Sequence, residues 1–144
     1  MAGSLSAARV IELLDLEPHP EGGHFAQTWR DRPAGGGRGG SSAIYYLLAA
    51  GERCAWHRFD AVELWHWYAG APLLLSVAVP GAPRVEHRLG SDLAAGERPV
   101  AVVPAHAWMS AVSLGDWTLV GCSSAPAFQP EGWELAPAGW EPPG

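Results

Sequence analysis

Residues 51–70 gather the densest set of ionisable and aromatic side chains in the chain: His57, Phe59, Glu63, Trp65, His66 and Trp67, bracketed by Gly51 and Gly70. On an extended segment alternate residues share a face, so His57 and Phe59 point the same way. A tight turn at residues 60–62 then brings Glu63 to a neighbouring strand, with Trp65 and Trp67 on its face and Leu64 and His66 on the other. An imidazole and a carboxyl enclosed by large aromatics are under opposed pressures, since burial raises a carboxyl pKa and a charged His lowers it. General acids and bases are tuned in this way. The same pair can also be a hydrogen bond that satisfies two buried polar groups. Burying two ionisable groups is expensive unless they are used or fully paired.

Other side chains are candidates for the same pocket. Tyr46 offers a phenol that can deliver or remove a proton, while Tyr45 faces the opposite side. With His57 and Glu63 it completes the expected catalytic set. Glu21, Gly22, Gly23 and His24 precede a strand, and the paired glycines permit positive φ and close backbone approach, as a turn or as a ligand-contacting rim. Trp56, Trp65, Trp67 and Trp108 are either core filling or a platform for a flat or sugar-like ligand, with Phe59 and Met109 as further apolar contacts. Arg58 alternates away from His57 toward the surface, and His19 and His87 are expected on the solvent side.

The elements that must position these residues are short. Residues 6–14 place Val10, Leu13 and Leu14 at helical spacing after a capping Ser6, which predicts one amphipathic helix. Beyond it, apolar or alternating runs at 24–30, 42–50, 55–59, 64–69, 73–79, 84–89, 99–103, 107–112 and 117–124 are each closed by Gly, Pro or Asp. Short strands with turn signals and no intervening helices predict an all-β antiparallel sandwich or barrel. The Gly-rich stretch 32–40 is expected to be a mobile surface loop, and the Pro-rich tail after Trp133 to pack its tryptophans on the barrel exterior. With no internal repeat and 144 residues, the chain reads as one domain over 1–144.

Composition excludes several mechanisms. All nine basic side chains are arginines and there is no Asn, which removes Schiff-base and phosphate-loop lysines, N-glycosylation and a Cys-His-Asn triad. His57 is left as the best candidate base. A formal net charge of −6 with scattered arginines argues against a nucleic-acid partner. No signal peptide and no membrane-length apolar run are visible, so no membrane partner is expected. Cys54 and Cys122 lack metal or redox spacing, and two reduced, buried thiols imply a cytoplasmic protein.

The spacing of Gly51, His57, Phe59, Glu63 and Gly70 resembles the first signature of the cupin superfamily, with Phe59 where a second His stands. Pro104, His106, Met109 and Ser113 resemble the second signature, with His106, Met109 and Ser113 in place of its Gly, His and Asn. Residues 18–25, 42–48, 56–58, 63–70, 103–104 and 115–122 look like the small cupin family labelled type 5, and the resemblance covers about residues 11–137. It implies a double-stranded β-helix, the cupin jelly-roll barrel, over about 18–137 with a short N-terminal helix, and a homodimer. It also favours residues 21–24 as a rim, and it implies a shape similar to the dTDP-4-dehydrorhamnose 3,5-epimerases. The cupin metal site it implies has three His and one Glu; only His57 and Glu63 survive, so no metal is expected, and these two are the ligands if one is bound. The expected function is metal-independent binding of a small sugar-like or keto compound, with epimerase or isomerase chemistry through His57 and Glu63. The alternatives are a non-catalytic ligand-binding or sensing cupin and a metal-dependent dioxygenase type.

Overall fold

The computed structural model describes residues 5–143. Helix α1 (Ala7–Leu14) is capped by Ser6, whose side chain accepts the Arg9 backbone N–H at 3.1 Å, and it ends at Asp15 in the left-handed conformation. Val10 packs with Leu16 and Leu47, which seats the helix on a sheet. The strands are β1 (Glu17–Pro18), β2 (His24–Arg30), β3 (Ser42–Ala49), β4 (Arg53–Phe59), β5 (Val62–Gly70), β6 (Leu73–Ala78), β7 (Val85–Leu89), β8 (Val100–Val103), β9 (Trp108–Ser113), β10 (Trp117–Ala125) and β11 (Trp133–Leu135). They form two antiparallel sheets, in the orders β1-β2-β3-β10-β5-β8 and β11-β4-β9-β6-β7. Tyr46, Leu48, Trp65, Leu75, Met109 and Val120 fill the space between them. Removing a side chain such as Trp65 from water contributes roughly 2–3 kcal/mol. The all-β jelly roll is therefore the observed architecture. No helix among the described residues is long and apolar enough to cross a membrane.

The connection at Asp60 and Ala61 carries the chain from one sheet to the other, so β4 and β5 are not a hairpin. His57 and Glu63 thus approach the interior from facing sheets. Arg38 fixes this corner, donating to both Asp60 carboxylate oxygens at 2.6 and 3.1 Å and to the Ala127 carbonyl at 2.8 Å. Within residues 32–40, expected to be a mobile loop, Arg38 is anchored at this corner, while residues 33–37 are exposed. Ser113, at the closing-Asn position, lies 2.7 Å from the Thr118 hydroxyl, which in turn donates to the Ala71 carbonyl.

Two register shifts break the alternation that a regular strand imposes. In β4, Cys54 opposes Ala111 but His57 opposes Met109, so one extra residue lies between them. Cys54 and His57, three apart, both face inward as a result, whereas a regular strand would turn them to opposite faces. In β2, Gln27 opposes Ile44 but Trp29 opposes Ala43, so the bulge falls at Thr28. Outside the second sheet, Trp140 packs against Trp56 and Trp108 with ring centroids 6.4 and 4.5 Å away. Arg84 and Arg58 lie over those two rings.

The segment between β1 and β2 is held against the β4 bulge. Ala55 donates its backbone N–H to the Glu21 carbonyl at 2.8 Å, and the Gly22 N–H donates to the His19 carbonyl at 3.0 Å. Gly22 has φ +105°, and a Cβ there would lie 2.3 Å from the Arg53 carbonyl oxygen. Gly22→Ala is expected to lower stability by about 3 kcal/mol, combining a left-handed backbone with a backbone clash. Gly35→Ala, with nothing within 4 Å of its Cβ, should change it by less than about 0.5 kcal/mol. Urea unfolding of both variants checks this.

Candidate functional site

A cavity of about 350 Å³ lies between the inner faces of the two sheets. Its polar lining comprises His19, Glu21, Gln27, Arg30, Ser42, His57, Glu63 and Ser124; Phe25, Ile44, Tyr46, Trp65, Phe128 and Trp133 make most of its apolar wall. Of the expected site residues, His57, Glu63, Tyr46, Glu21 and Trp65 meet here. Trp56 and Trp108 face out of the second sheet, under Trp140. Trp67 packs against the core and donates to the Ala71 carbonyl, and Met109 is core. Phe59 is buried in a stack with Phe128 at 5.2 Å, behind the lining. Gly22 and Gly23 shape the loop without lining the cavity. His24 points away from Phe25, and its Nδ1 is buried without a partner. His19, expected toward solvent, lines the cavity instead: the Glu21 backbone N–H donates to its Nδ1 at 3.0 Å, and its ring packs on Phe25 at 4.6 Å.

The partner of His57 is Glu21. His57 Nε2 lies 3.1 Å from Glu21 Oε2, and its Nδ1 lies 2.8 Å from the Ala55 carbonyl. A carbonyl oxygen can only accept, so Nδ1 carries the hydrogen and Nε2 faces the carboxyl. Glu21 also accepts from the Trp133 indole N–H at 2.9 Å and from the Cys54 thiol at 3.5 Å. Burial raises the Glu21 pKa, with His19, Trp133 and Cys54 partly opposing it. Burial lowers the His57 pKa, opposed by the Glu63 charge and the Ala55 carbonyl. Both shifts favour a neutral pair in which the Glu21 carboxyl donates its proton to Nε2.

Glu63 shares the cavity with this pair but is not within ion-pair distance of His57. One of its oxygens accepts the Trp65 indole N–H at 2.8 Å. Burial pushes its pKa up to about 7, reinforced by Glu21 and opposed by His57 and the Trp65 N–H. A carboxyl of this kind is half ionised near neutral pH, and it suits the role of base better than His57, whose two ring nitrogens are both engaged. Tyr46 donates its hydroxyl hydrogen to the Gly22 carbonyl. Burial raises its pKa far above the phenol range, so it is a neutral wall.

Sequence reasoning missed Trp133, Cys54 and the Glu21–His57 pairing. Glu21 already stood out as a possible rim residue, but no spacing connects residues 21, 57 and 133.

The model of the Cupin superfamily (DUF985) matches residues 8–136. The chain belongs to this cupin family. A solved protein from Shewanella oneidensis is 36% identical over 92% of this chain and 85% of its own, with a TM-score of 0.87. A hypothetical protein from Leishmania major is 25% identical over 92% and 88%, with a TM-score of 0.84. Oxalate decarboxylase from Bacillus subtilis, 10% identical over 92% of this chain and 33% of its own with a TM-score of 0.64, shares the fold. No curated protein matches the chain.

Cupins often bind a metal, so the donors of this cupin bear on what the cavity can hold. At two of the four family positions stand Phe59 and Met109, which line no part of the cavity. Among the described residues, the group of three donors within 4.8 Å of one another is Glu21, Cys54 and His57. These donors are already hydrogen-bonded to each other and to Ala55. Burial, reinforced by the Glu21 charge, holds the Cys54 thiol well above its ordinary range. The residues do not fit the octahedral three-His, one-Glu site.

The Glu63 shift has a consequence for stability. Its folded pKa lies above its value in an unfolded chain, so its full contribution is present below about pH 4.5 and is lost as pH rises through about 7. The loss amounts to at most about 3 kcal/mol. The melting temperature is expected to fall between pH 5 and pH 8, and Glu63→Gln should flatten that fall in a calorimetric pH series.

Proposed function

We propose that this cupin binds a small carbonyl compound in the cavity and moves a proton at the carbon next to the carbonyl, the chemistry of an epimerase or isomerase. The observation that carries this reading is the placement of Glu63, with a pKa near 7, in the same apolar cavity as the buried Glu21–His57 pair. Glu63 as carboxylate takes the proton from carbon while the proton shared by Glu21 and His57 passes to the carbonyl oxygen, giving an enol. Return of the proton from Glu63 to the carbon, as the enol oxygen gives its proton back to the Glu21–His57 pair, restores the carbonyl; an enol that turns its other face to Glu63 first gives the epimer, and no oxidant or reductant is needed. Removal of a proton by a positioned group contributes roughly 100- to 10,000-fold. The buried surroundings of Glu21, His57 and Glu63 strengthen hydrogen bonds made there.

Exchange of that hydrogen for deuterium in heavy water, followed by NMR, tests the reading. The rate should rise with pH through about 7 as Glu63 ionises, and Glu63→Gln should lower it about 100-fold or more. His57→Ala should lower it as well with the fold intact, and a chelator should leave it unchanged. Binding without exchange would leave a ligand-binding or sensing cupin; exchange lost with the chelator would favour a metal-dependent one.

We further propose that the protein is a cytoplasmic homodimer. Tyr68, Val100 and Val102 support the dimer, being exposed on the outward side of the first sheet while β5 and β8 pair through His66↔Val100 and Leu64↔Val102. Light scattering should give twice the chain mass of 15.2 kDa.

A further inference from the structure

Of the nine arginines, one lines the cavity. Arg30 reaches it through the bulge in β2. Phe25 and Gln27 alternate inward opposite Tyr46 and Ile44; in a regular strand residue 29 would be the next to face the interior. The extra residue at Thr28 reverses the alternation, so Trp29 turns outward, 55% exposed, and Arg30 turns inward opposite Ser42. Bulges next to active sites re-aim a side chain in this way.

The Arg30 head is held but not neutralised. One N–H donates to the Phe128 carbonyl at 2.8 Å. Arg38, Arg58, Arg84 and Arg88 each meet a carboxylate within 4.0 Å, whereas Arg30, like Arg32, Arg53 and Arg98, has no such partner among the described residues, and of these four only Arg30 lines the cavity. Arg30 is half-buried at the cavity beside Gln27 and Ser42, and an anionic ligand there would supply the counter-charge that its guanidinium lacks. Its planar fork matches a carboxylate with two parallel hydrogen bonds. The cavity volume, about 350 Å³, is at the low end for ligand sites, enough for a small acid and too small to enclose a sugar nucleotide.

We propose that Arg30, turned into the cavity by the Thr28 bulge, is the anion-recognising residue of the site, and that the ligand is a small 2-oxo acid whose carboxylate sits on its guanidinium. This rests on the proton-transfer reading for the oxo group, and Arg30 adds the second point of attachment. The acid's carbonyl and neighbouring C–H are then presented to the Glu21–His57 pair and Glu63, with the apolar walls taking its side chain.

Calorimetric titration with 3-methyl-2-oxopentanoate and with its methyl ester separates the two ideas, with deuterium exchange at C3 followed in parallel. The wild type should bind the acid about tenfold to a hundredfold tighter than the ester. Arg30→Met, verified as folded by its melting curve, should lose that preference, and Arg30→Lys should retain part of it. Glu63→Gln should keep the preference and lose exchange. An acid that does not bind at millimolar concentration, an equal affinity for the ester, or a folded Arg30→Met that keeps the preference would each overturn the assignment. Preferential, Arg30-dependent binding of the acid without exchange would uphold Arg30 while refuting proton transfer. Equal exchange of acid and ester would do the reverse.

Discussion

One extra residue in β4 between Cys54 and His57 decides how the site is put together. A bulge leaves a backbone N–H without its ladder partner, and here the Ala55 N–H is taken by the Glu21 carbonyl while the Ala55 carbonyl takes the His57 Nδ1 hydrogen. The same residue thus anchors the loop that carries Glu21 and fixes the orientation of His57. Because both ends of the Glu21–His57 contact hang on this backbone, their 3.1 Å separation does not depend on side-chain packing alone. The glycine beside Glu21 follows from the same constraint, since the loop passes too close to Arg53 for any larger residue.

Electrostatically the cavity is a place where charge is discouraged. Two carboxyls and two imidazoles share an apolar space, and burial drives the Glu21 and Glu63 pKa values up and those of His19 and His57 down. The hydrogen-bond donors are distributed unequally: Glu21 receives Trp133 and Cys54 besides facing His57, while Glu63 receives Trp65. Two carboxyls of the same type therefore sit in different surroundings, which is the arrangement that separates acid and base roles.

Much of the architecture could be read from residue order. Short alternating runs between Gly, Pro and Asp turns located most strands, because a half-buried strand must alternate. The spacing from Gly51 through Glu63 to Gly70 brought His57 and Glu63 into one cavity. What alternation could not reveal is where it fails. Cys54 by simple parity lies opposite His57, and Trp29 rather than Arg30 continues the inward series in β2, so both bulges hid functional neighbours. Trp56 is a different case. It adjoins His57, and the alternation that orients His57 inward also turns Trp56 out, so its place beneath Trp140 was within reach of the sequence. The Glu21 contact was not, since it joins segments that no local rule connects.

Trp133 gives the site a particular history in time. It reaches Glu21 from 112 positions along the chain, and its strand, β11, pairs with β4 at the edge of the second sheet. During synthesis, the loop, the bulge and the inward-facing carboxyls all precede it, and until it docks one side of the Glu21 carboxyl has no indole donor and no cover. Long-range closures of this kind come late and slowly in folding. The acid–imidazole pair thus draws on the last of the described strands as well as on the earlier strands that surround it.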